Sequence, residues 1–123
     1  QSVADPTIKP LVFALNVCGV TTERSCEGHE NFDEGYYHEF PWVTIFDEKD
    51  LERLELMVAE YNLSVAERNE ELSQWRTGLN VKALRHWLFP VDGHKRTESL
   101  QKESKLLAEF IISRFGKLKV ASG

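Results

Sequence analysis

A run of apolar residues at helical spacing in the middle of the chain constrains its fold most strongly. Between positions 51 and 75, apolar side chains recur at alternating steps of three and four residues, the spacing of one helix face. The pattern predicts one long helix from about residue 48 to residue 75, with Asp47 as its N-cap. A capping-box pattern at residues 64–67 leaves open a break near Asn62. The apolar stripe consists of Leu51, Leu54, Val58, Tyr61, Val65, Leu72 and Trp75.

The stripe has two interpretations. It either faces the core of its own domain or forms a seam with a second copy of the chain, which would make the protein a helix-mediated homodimer. Arg68 interrupts the spacing where a seam would need an apolar residue. We therefore expect the stripe to face the core, and the homodimer is the alternative.

The other elements flank this helix. A first helix is predicted to begin at Asp5-Pro6 or Thr7, or with Pro10 in its first turn, and to run to Cys18, where Gly19 ends it. A last helix is capped by Thr97 or Ser99. Strands are predicted at residues 20–26, 40–46 and 81–89, and residues 77–80 are predicted as a turn. The order α-β-β-α-β-α predicts a single α+β domain over residues 1–123. Its sheet would be small, about three-stranded, mainly antiparallel, and covered by helices.

Composition limits the class of protein. The 123 residues suit one domain, and 41% apolar with 28% charged residues is ordinary for a globular chain. No run approaches the ~20 apolar residues that span a bilayer, and no signal-peptide pattern opens the chain. Two cysteines are too few for a disulfide framework, so we expect a reducing, cytoplasmic setting. Spacing alone leaves a bond between Cys18 and Cys26 open.

The net charge of −5 argues against nucleic acid as a partner. Residues 77–123 nevertheless carry nine basic and four acidic side chains. Solvated helix faces explain this excess most simply. The alternative is a modest anion-binding patch formed by Lys82, Arg85, Lys95, Arg96 and Lys102. The aromatic set Tyr36, Tyr37 and Trp42 is interpreted as packing in the core and the loop rather than as a stacking platform for bases.

The segment from Thr21 to His29 is the candidate site. It places a thiol, an imidazole, a guanidinium and several hydroxyls within nine residues, at the end of a predicted strand. A neighbouring base or cation activates a thiol, so Cys26 and His29 are the candidate catalytic or orienting pair. We expect the pair to serve a small anionic or nucleotide-like ligand, with the 30–40 loop over it. The candidate ligand-binding residues are Thr22, Arg24, Ser25, Glu27, Gly28 and Arg85.

Two other roles fit the same segment. Cys26 and His29 can supply two zinc ligands, but a closed site needs two more, and no second Cys-x-x-Cys or His-x-x-x-His pair exists. Alternatively, both side chains only fix the loop, and the protein is an interaction module without chemistry. The sequence names no cofactor.

The same nine residues carry a resemblance. Thr22 to His29 resembles the Thr-x-x-Ser-Cys-x-Gly-His signature of small uncharacterised bacterial and phage proteins. The segment is also similar to the Ser-Ser-Cys-Ser-Gly-Arg signature of the TYW-type wybutosine-synthesis methyltransferases, which implies S-adenosylmethionine and a modified guanosine in tRNA. Only Ser25, Cys26 and Gly28 match that second signature. That activity therefore stays outside our main prediction.

Overall fold

Over the residues that the structure describes, three helices and a four-stranded sheet confirm the predicted α+β class. A computed structural model describes residues 7–28, 40–68, 71–82 and 84–116. A short 3-10 turn, Glu48–Asp50, leads into the second helix, and a π-helical turn, Ile112–Gly116, follows the last. The elements are α1 (Lys9–Val17), β1 (Thr22–Cys26), β2 (Trp42–Ile45), α2 (Leu51–Arg68), β3 (Trp75–Asn80), β4 (Arg85–Pro90) and α3 (Thr97–Ile111).

The sheet is antiparallel throughout, in the order β1-β2-β4-β3. The central strands β2 and β4 pair through Val43 with Leu88 and Thr44 with Trp87. Directly opposite residues share a face, and successive residues alternate between faces. Val43 and Leu88 therefore lie on one face of the sheet, and Thr44 and Trp87 lie on the other.

The helices cover the face that carries Val43 and Leu88. Both side chains are completely buried in one apolar core together with residues of all three helices. No described helix supplies residues to the opposite face. The buried sheet residues of the core are Val43, Ile45, Trp75 and Leu88, and the helices add, among others, Leu11, Leu15, Leu54, Met57, Tyr61, Leu107 and Ile111.

The apolar stripe of helix α2 packs in the core of its own domain. Val58 and Val65, which would lie at the centre of a dimer seam, are only 4% and 3% exposed. Leu54 and Tyr61 are buried in the same core. The expectation that the stripe faces the core is therefore confirmed, and nothing in the described packing supports a homodimer through it.

The predicted end of the long helix is wrong. Helix α2 ends at Arg68, and Trp75 is the first residue of β3. Trp75 keeps the helical spacing of the stripe, but it enters the core as a residue of strand β3 and not of a helix. The side chain of Asn62 fixes this strand, because its Nδ2 donates to the Trp75 carbonyl at 2.8 Å and its Oδ1 accepts from the Trp75 N–H at 2.9 Å.

The predicted turn at residues 77–80 is also wrong. These residues belong to β3, so the observed order is α-β-β-α-β-β-α and the sheet has four strands rather than about three. Gly78 suggested the turn, but it lies mid-strand opposite Trp87. The turn comes later, where the Leu84 N–H donates to the Asn80 carbonyl at 2.8 Å. The predicted strand at 81–89 accordingly begins only at Arg85.

Helix α1 begins at Lys9 with Pro10 in its first turn, the later of the two starts left open, and Cys18 is its C-cap. Gly19 follows it with a φ of +97°, a left-handed conformation that favours glycine. Cys18 is 3% exposed, and its thiol lies 3.8 Å from the Ile111 carbonyl. No disulfide joins Cys18 to Cys26. A search of the described helices finds none long and apolar enough to cross a membrane.

A partly buried ion pair connects the β3–β4 hairpin to α3. Glu103 is 6% exposed, and its Oε1 accepts from the Ser73 N–H at 2.7 Å. Its Oε2 accepts from Lys95 Nζ at 2.9 Å, and the same ammonium donates to the Glu71 carbonyl at 2.6 Å. The carboxylate therefore holds the chain segments on both sides of the hairpin.

Candidate ligand-binding face of the sheet

The first half of the predicted site lies on β1, an outer strand of the sheet. Thr22 pairs with Ile45 and Ser25 pairs with Val43. Glu23 and Arg24, the two residues between them on β1, therefore lie opposite the single residue Thr44. This is a β-bulge, which disrupts regular pairing and increases the local twist. The Thr44 hydroxyl closes the bulge by accepting from the Arg24 N–H at 2.9 Å and donating to the Arg24 carbonyl at 3.3 Å.

The bulge distributes the predicted ligand-binding residues between the two faces. Thr22 and Ser25 lie on the helix side, opposite core residues, and the Thr22 N–H donates to Asn16 Oδ1 at 3.3 Å. Cys26 lies on the other side of the sheet, directly opposite Trp42. Arg24 is exposed to solvent. Thr22, Ser25 and Cys26 therefore do not converge on one pocket.

Glu27 and Gly28 tie the end of β1 to two helices. The Glu27 carboxylate accepts hydrogen bonds from the backbone N–H and the hydroxyl of Thr7, at the start of α1. On α3, the Gln101 amide donates to the Glu27 carbonyl at 3.1 Å and to the Gly28 carbonyl at 3.4 Å. The Gly28 N–H in turn lies 3.4 Å from the Cys26 thiol, and the φ of Gly28 is +92°. These contacts give both residues a positioning role in the fold.

Arg85 lies at the other end of the sheet from Cys26. Its Nε is 3.2 Å from Glu23 Oε1, its Nη1 donates to the Phe46 carbonyl at 3.4 Å, and its guanidinium lies 5.5 Å from the centre of the Phe46 ring. Glu23 precedes Cys26 by three residues, a separation of about 10 Å along a strand. The described contacts therefore do not bring Arg85 to the thiol.

The remaining member of the predicted pair, His29, lies outside the described residues, as does most of the 30–40 loop. Within the described ranges, no group of three or more His, Cys, Asp or Glu side chains is arranged to hold a metal ion. The catalytic pair of Cys26 and His29 and the zinc alternative both stay predictions.

The sheet face that no described helix covers carries instead a cluster of aromatic rings, four of which belong to described residues. Trp87 is central, with its ring 4.7 Å from that of Phe89, 6.0 Å from that of Trp42 and 6.0 Å from that of Phe40, measured between centroids. All four side chains are half-buried, so each presents part of its surface to solvent. We call Phe40, Trp42, Trp87 and Phe89 the aromatic face.

Two glycines let the backbone approach this aromatic face closely. A Cβ atom at Gly78 would lie 3.4 Å from Phe89 Cε1 and 3.9 Å from Trp87 Nε1. A Cβ atom at Gly93 would lie 2.8 Å from Phe40 Cδ2, which is too close without movement of that ring. The rings of Phe89 and Phe40 therefore rest against backbone where a side chain would otherwise stand.

Arginines lie at both ends of the aromatic face. Arg76 on β3 places its guanidinium 5.7 Å from the centre of the Phe89 ring, and Arg85 on β4 stacks over Phe46. No carboxylate within the described ranges pairs with Arg76, whereas Arg85 pairs with Glu23. A guanidinium that stacks on a ring keeps its N–H groups available at its edge, where they can bind an anion.

The sequence predicts which residues of one strand share this face, but it does not predict which strands lie beside each other. Arg85, Trp87 and Phe89 alternate along β4 and were expected to share one side of a strand. Trp42, which was expected to pack rather than to stack on bases, contacts the ring of Trp87. That these rings meet on the side that no described helix covers follows only from the pairing of β2 with β4.

No protein-family model, no curated protein and no solved structure matches this chain. The resemblance of residues 22–29 to the two signature groups therefore stays a prediction, and any conclusion about function depends on the geometry of the chain itself.

Proposed function

We propose that the protein binds a small anionic, nucleotide-like ligand on the aromatic face of its sheet. The observation that carries the proposal is the contiguous set of half-buried rings around Trp87, flanked by the guanidinium groups of Arg76 and Arg85. The ligand class is the one expected from the sequence. The proposed position moves from the segment at residues 21–29 to the neighbouring strands β2, β4 and β3.

The chemistry of the face suits a planar ring that carries a phosphate. A base that stacks on an aromatic side chain gains about 1–3 kcal/mol, largely independent of its identity. A guanidinium and a phosphate form charge-assisted, bidentate hydrogen bonds that also fix the orientation of the ligand. Arg76 is exposed and already oriented by its contact with Phe89, so little of its side-chain freedom is lost on binding.

Tryptophan fluorescence is a direct test, because the three tryptophans separate by location. Trp42 and Trp87 belong to the aromatic face, whereas Trp75 is completely buried in the core. Titration with adenosine or uridine 5′-monophosphate should change the emission of the first two. Trp87→Leu should weaken binding about fivefold or more, the loss of one stacking contact.

Phe13→Leu is the matched control, because Phe13 is an exposed aromatic residue on α1, away from the face. It should leave nucleotide affinity unchanged. Circular dichroism of each variant establishes that its fold is retained. Unchanged emission across millimolar nucleotide, or equal affinities of wild type and Trp87→Leu, would refute the proposal.

A further inference from the structure

We infer that the aromatic face takes a single-stranded nucleic acid at least two nucleotides long, rather than a mononucleotide. The inference rests on the proposed function and extends it to a ligand class that the acidic composition argues against. Its starting point is the distance between the two arginines that flank the rings.

The two guanidinium groups lie over different rings, that of Arg76 over Phe89 and that of Arg85 over Phe46, and this keeps them too far apart for one phosphate. Arg76 stands opposite Phe89, and Arg85 lies four residues before Phe89 on β4, which is about 13 Å along the strand. Trp87 lies midway between Phe89 and Arg85. A mononucleotide stacked on Trp87 has a single phosphate beside its base and reaches one arginine at most. A strand with successive phosphates reaches both, with its bases on the rings between them.

The local charge of this face also differs from the charge of the whole chain. Whereas the chain carries −5, strands β3 and β4 present Arg76 and Arg85 on this side, and Glu23 is the acidic side chain in described contact with them. Phosphate contacts give affinity without reading sequence, and stacking accepts any base. The face therefore fits single-stranded nucleic acid of any sequence, whether RNA or DNA.

The test measures affinity against length and salt. Thymidine 5′-monophosphate, oligo(dT) of two, four and eight nucleotides, and oligo(U) of the same lengths are titrated against the wild-type chain. We expect affinity to rise at least tenfold between one and four nucleotides. We also expect Arg76→Gln and Arg85→Gln each to lower the slope of log affinity against log salt by about 0.7, the contribution of one single-strand phosphate.

Arg114→Gln is the control for the arginine variants. Arg114 stacks on Phe110 at 5.3 Å and pairs with Glu60 at 2.7 Å, which mirrors the ring contact and ion pair of Arg85, but it lies beyond α3. This variant should change neither the affinity nor the salt slope. Glu23→Gln, which releases Arg85 from its ion pair, should strengthen oligonucleotide binding.

The outcomes separate the two proposals. Equal affinities for one and eight nucleotides, or salt slopes that neither arginine variant changes, would overturn the inference and leave mononucleotide binding intact. If neither mononucleotides nor oligonucleotides bind, both proposals fail. Rising affinity with length, together with reduced salt slopes in both variants and an unchanged slope in Arg114→Gln, supports the inference.

Discussion

Leu84 has a backbone conformation that its side chain disfavours. Its φ is +56°, and it is the one residue other than glycine with a positive φ in the described ranges. A left-handed conformation costs a residue with a Cβ roughly 1–2 kcal/mol. The side chain is 77% exposed, so burial offsets little of this cost. The conformation is imposed by the turn, where the Leu84 N–H closes onto the Asn80 carbonyl.

Replacing Leu84 should therefore stabilise the protein. Asn tolerates the left-handed region far better than Leu, so we expect Leu84→Asn to raise the free energy of unfolding by about 1 kcal/mol, measured by urea titration. Val81→Asn is the matched control, because Val81 is 71% exposed in the same turn and has no positive φ. A stabilisation of equal size in both variants would show that removing exposed apolar surface, and not φ, is responsible.

Glu103 is the one charged residue that is buried within the described ranges. Its two carboxylate oxygens accept from Ser73 N–H and Lys95 Nζ in a largely buried site. Glu103→Ala would leave the Ser73 N–H without its described partner and the ammonium without its carboxylate. We expect a loss of about 3 kcal/mol in the free energy of unfolding, at the lower end for a broken buried pair, because Lys95 is 28% exposed.

Glu109→Ala, an exposed glutamate on the same helix, is the control, and it should change stability by less than about 0.5 kcal/mol. Urea titration measures both variants. A loss in Glu103→Ala no larger than in the control would mean that Lys95 and Ser73 find replacement partners in water.

At the scale of elements, Asn62 takes the place of a neighbouring strand for the first residue of β3. Its amide donates to the Trp75 carbonyl and accepts from the Trp75 N–H, as a paired backbone would. Unpaired edge groups invite association with other strands, and a side chain that covers them prevents this. One residue of α2 therefore fixes where β3 begins and protects that part of its edge.

Two substitutions distinguish the hydrogen bond that Asn62 donates from the one that it accepts. Asn62→Leu removes both hydrogen bonds and should lower the free energy of unfolding by about 2–3 kcal/mol. Asn62→Asp keeps an acceptor for the Trp75 N–H but cannot donate to the carbonyl, so we expect an intermediate loss. Urea titrations give the ranking, and Ser64→Ala on the same helix is the control. If Asp and Leu destabilise equally, the donated bond to the carbonyl carries the whole effect.

The same region shows how far the sequence predicts the elements. Residues 51–68 contain a helical stripe that both the spacing and the structure place in the core, because local periodicity and burial agree there. Trp75 keeps that spacing by coincidence, and its real environment depends on Asn62 and on pairing with β4. Gly78 is likewise ambiguous, since glycine suits a turn and also a strand that supports aromatic rings. At both Trp75 and Gly78, the secondary structure is determined by contacts with residues distant in the sequence.

The candidate site shows the same difference between local sequence signals and non-local pairing. The segment at residues 21–29 stands out in the sequence because its reactive groups are contiguous. The aromatic face draws on β2 and β4 and on Phe40, and its members become neighbours only through the strand order β1-β2-β4-β3. The net charge led us to expect no nucleic-acid partner, but it averages over faces that the fold separates, so it does not describe the charge of this one face.

At the scale of the whole molecule, the two faces of the sheet differ in what they contact. One face packs against three helices and supplies the core. The other carries the rings and guanidinium groups that we assign to ligand binding. Trp75 reports on the first face and Trp87 on the second, and they belong to adjacent, paired strands. A ligand held on the second face is therefore coupled to the stability of the core through the sheet.

Ligand binding should accordingly stabilise the whole domain against urea. For a ligand that binds only the folded state, the free energy of unfolding rises by about 1.4 kcal/mol at ten times the dissociation constant. At ten times its dissociation constant, we expect an oligonucleotide of eight nucleotides to raise the free energy of unfolding of the wild-type chain by this amount. The urea midpoint should rise accordingly, with an unchanged urea slope. Far-UV circular dichroism, which follows the helices, should show the same shift as tryptophan fluorescence, because a domain of this size unfolds in one step.

Trp87→Leu, which should bind about fivefold more weakly, should gain only about 0.7 kcal/mol or less at the same oligonucleotide concentration. The Phe13→Leu control should behave as the wild type does. A fluorescence shift without a matching shift in circular dichroism would mean that the rings respond to the ligand while the core does not. In that case the sheet and the helices would unfold in separate steps, and the assumption of one cooperative transition would be wrong.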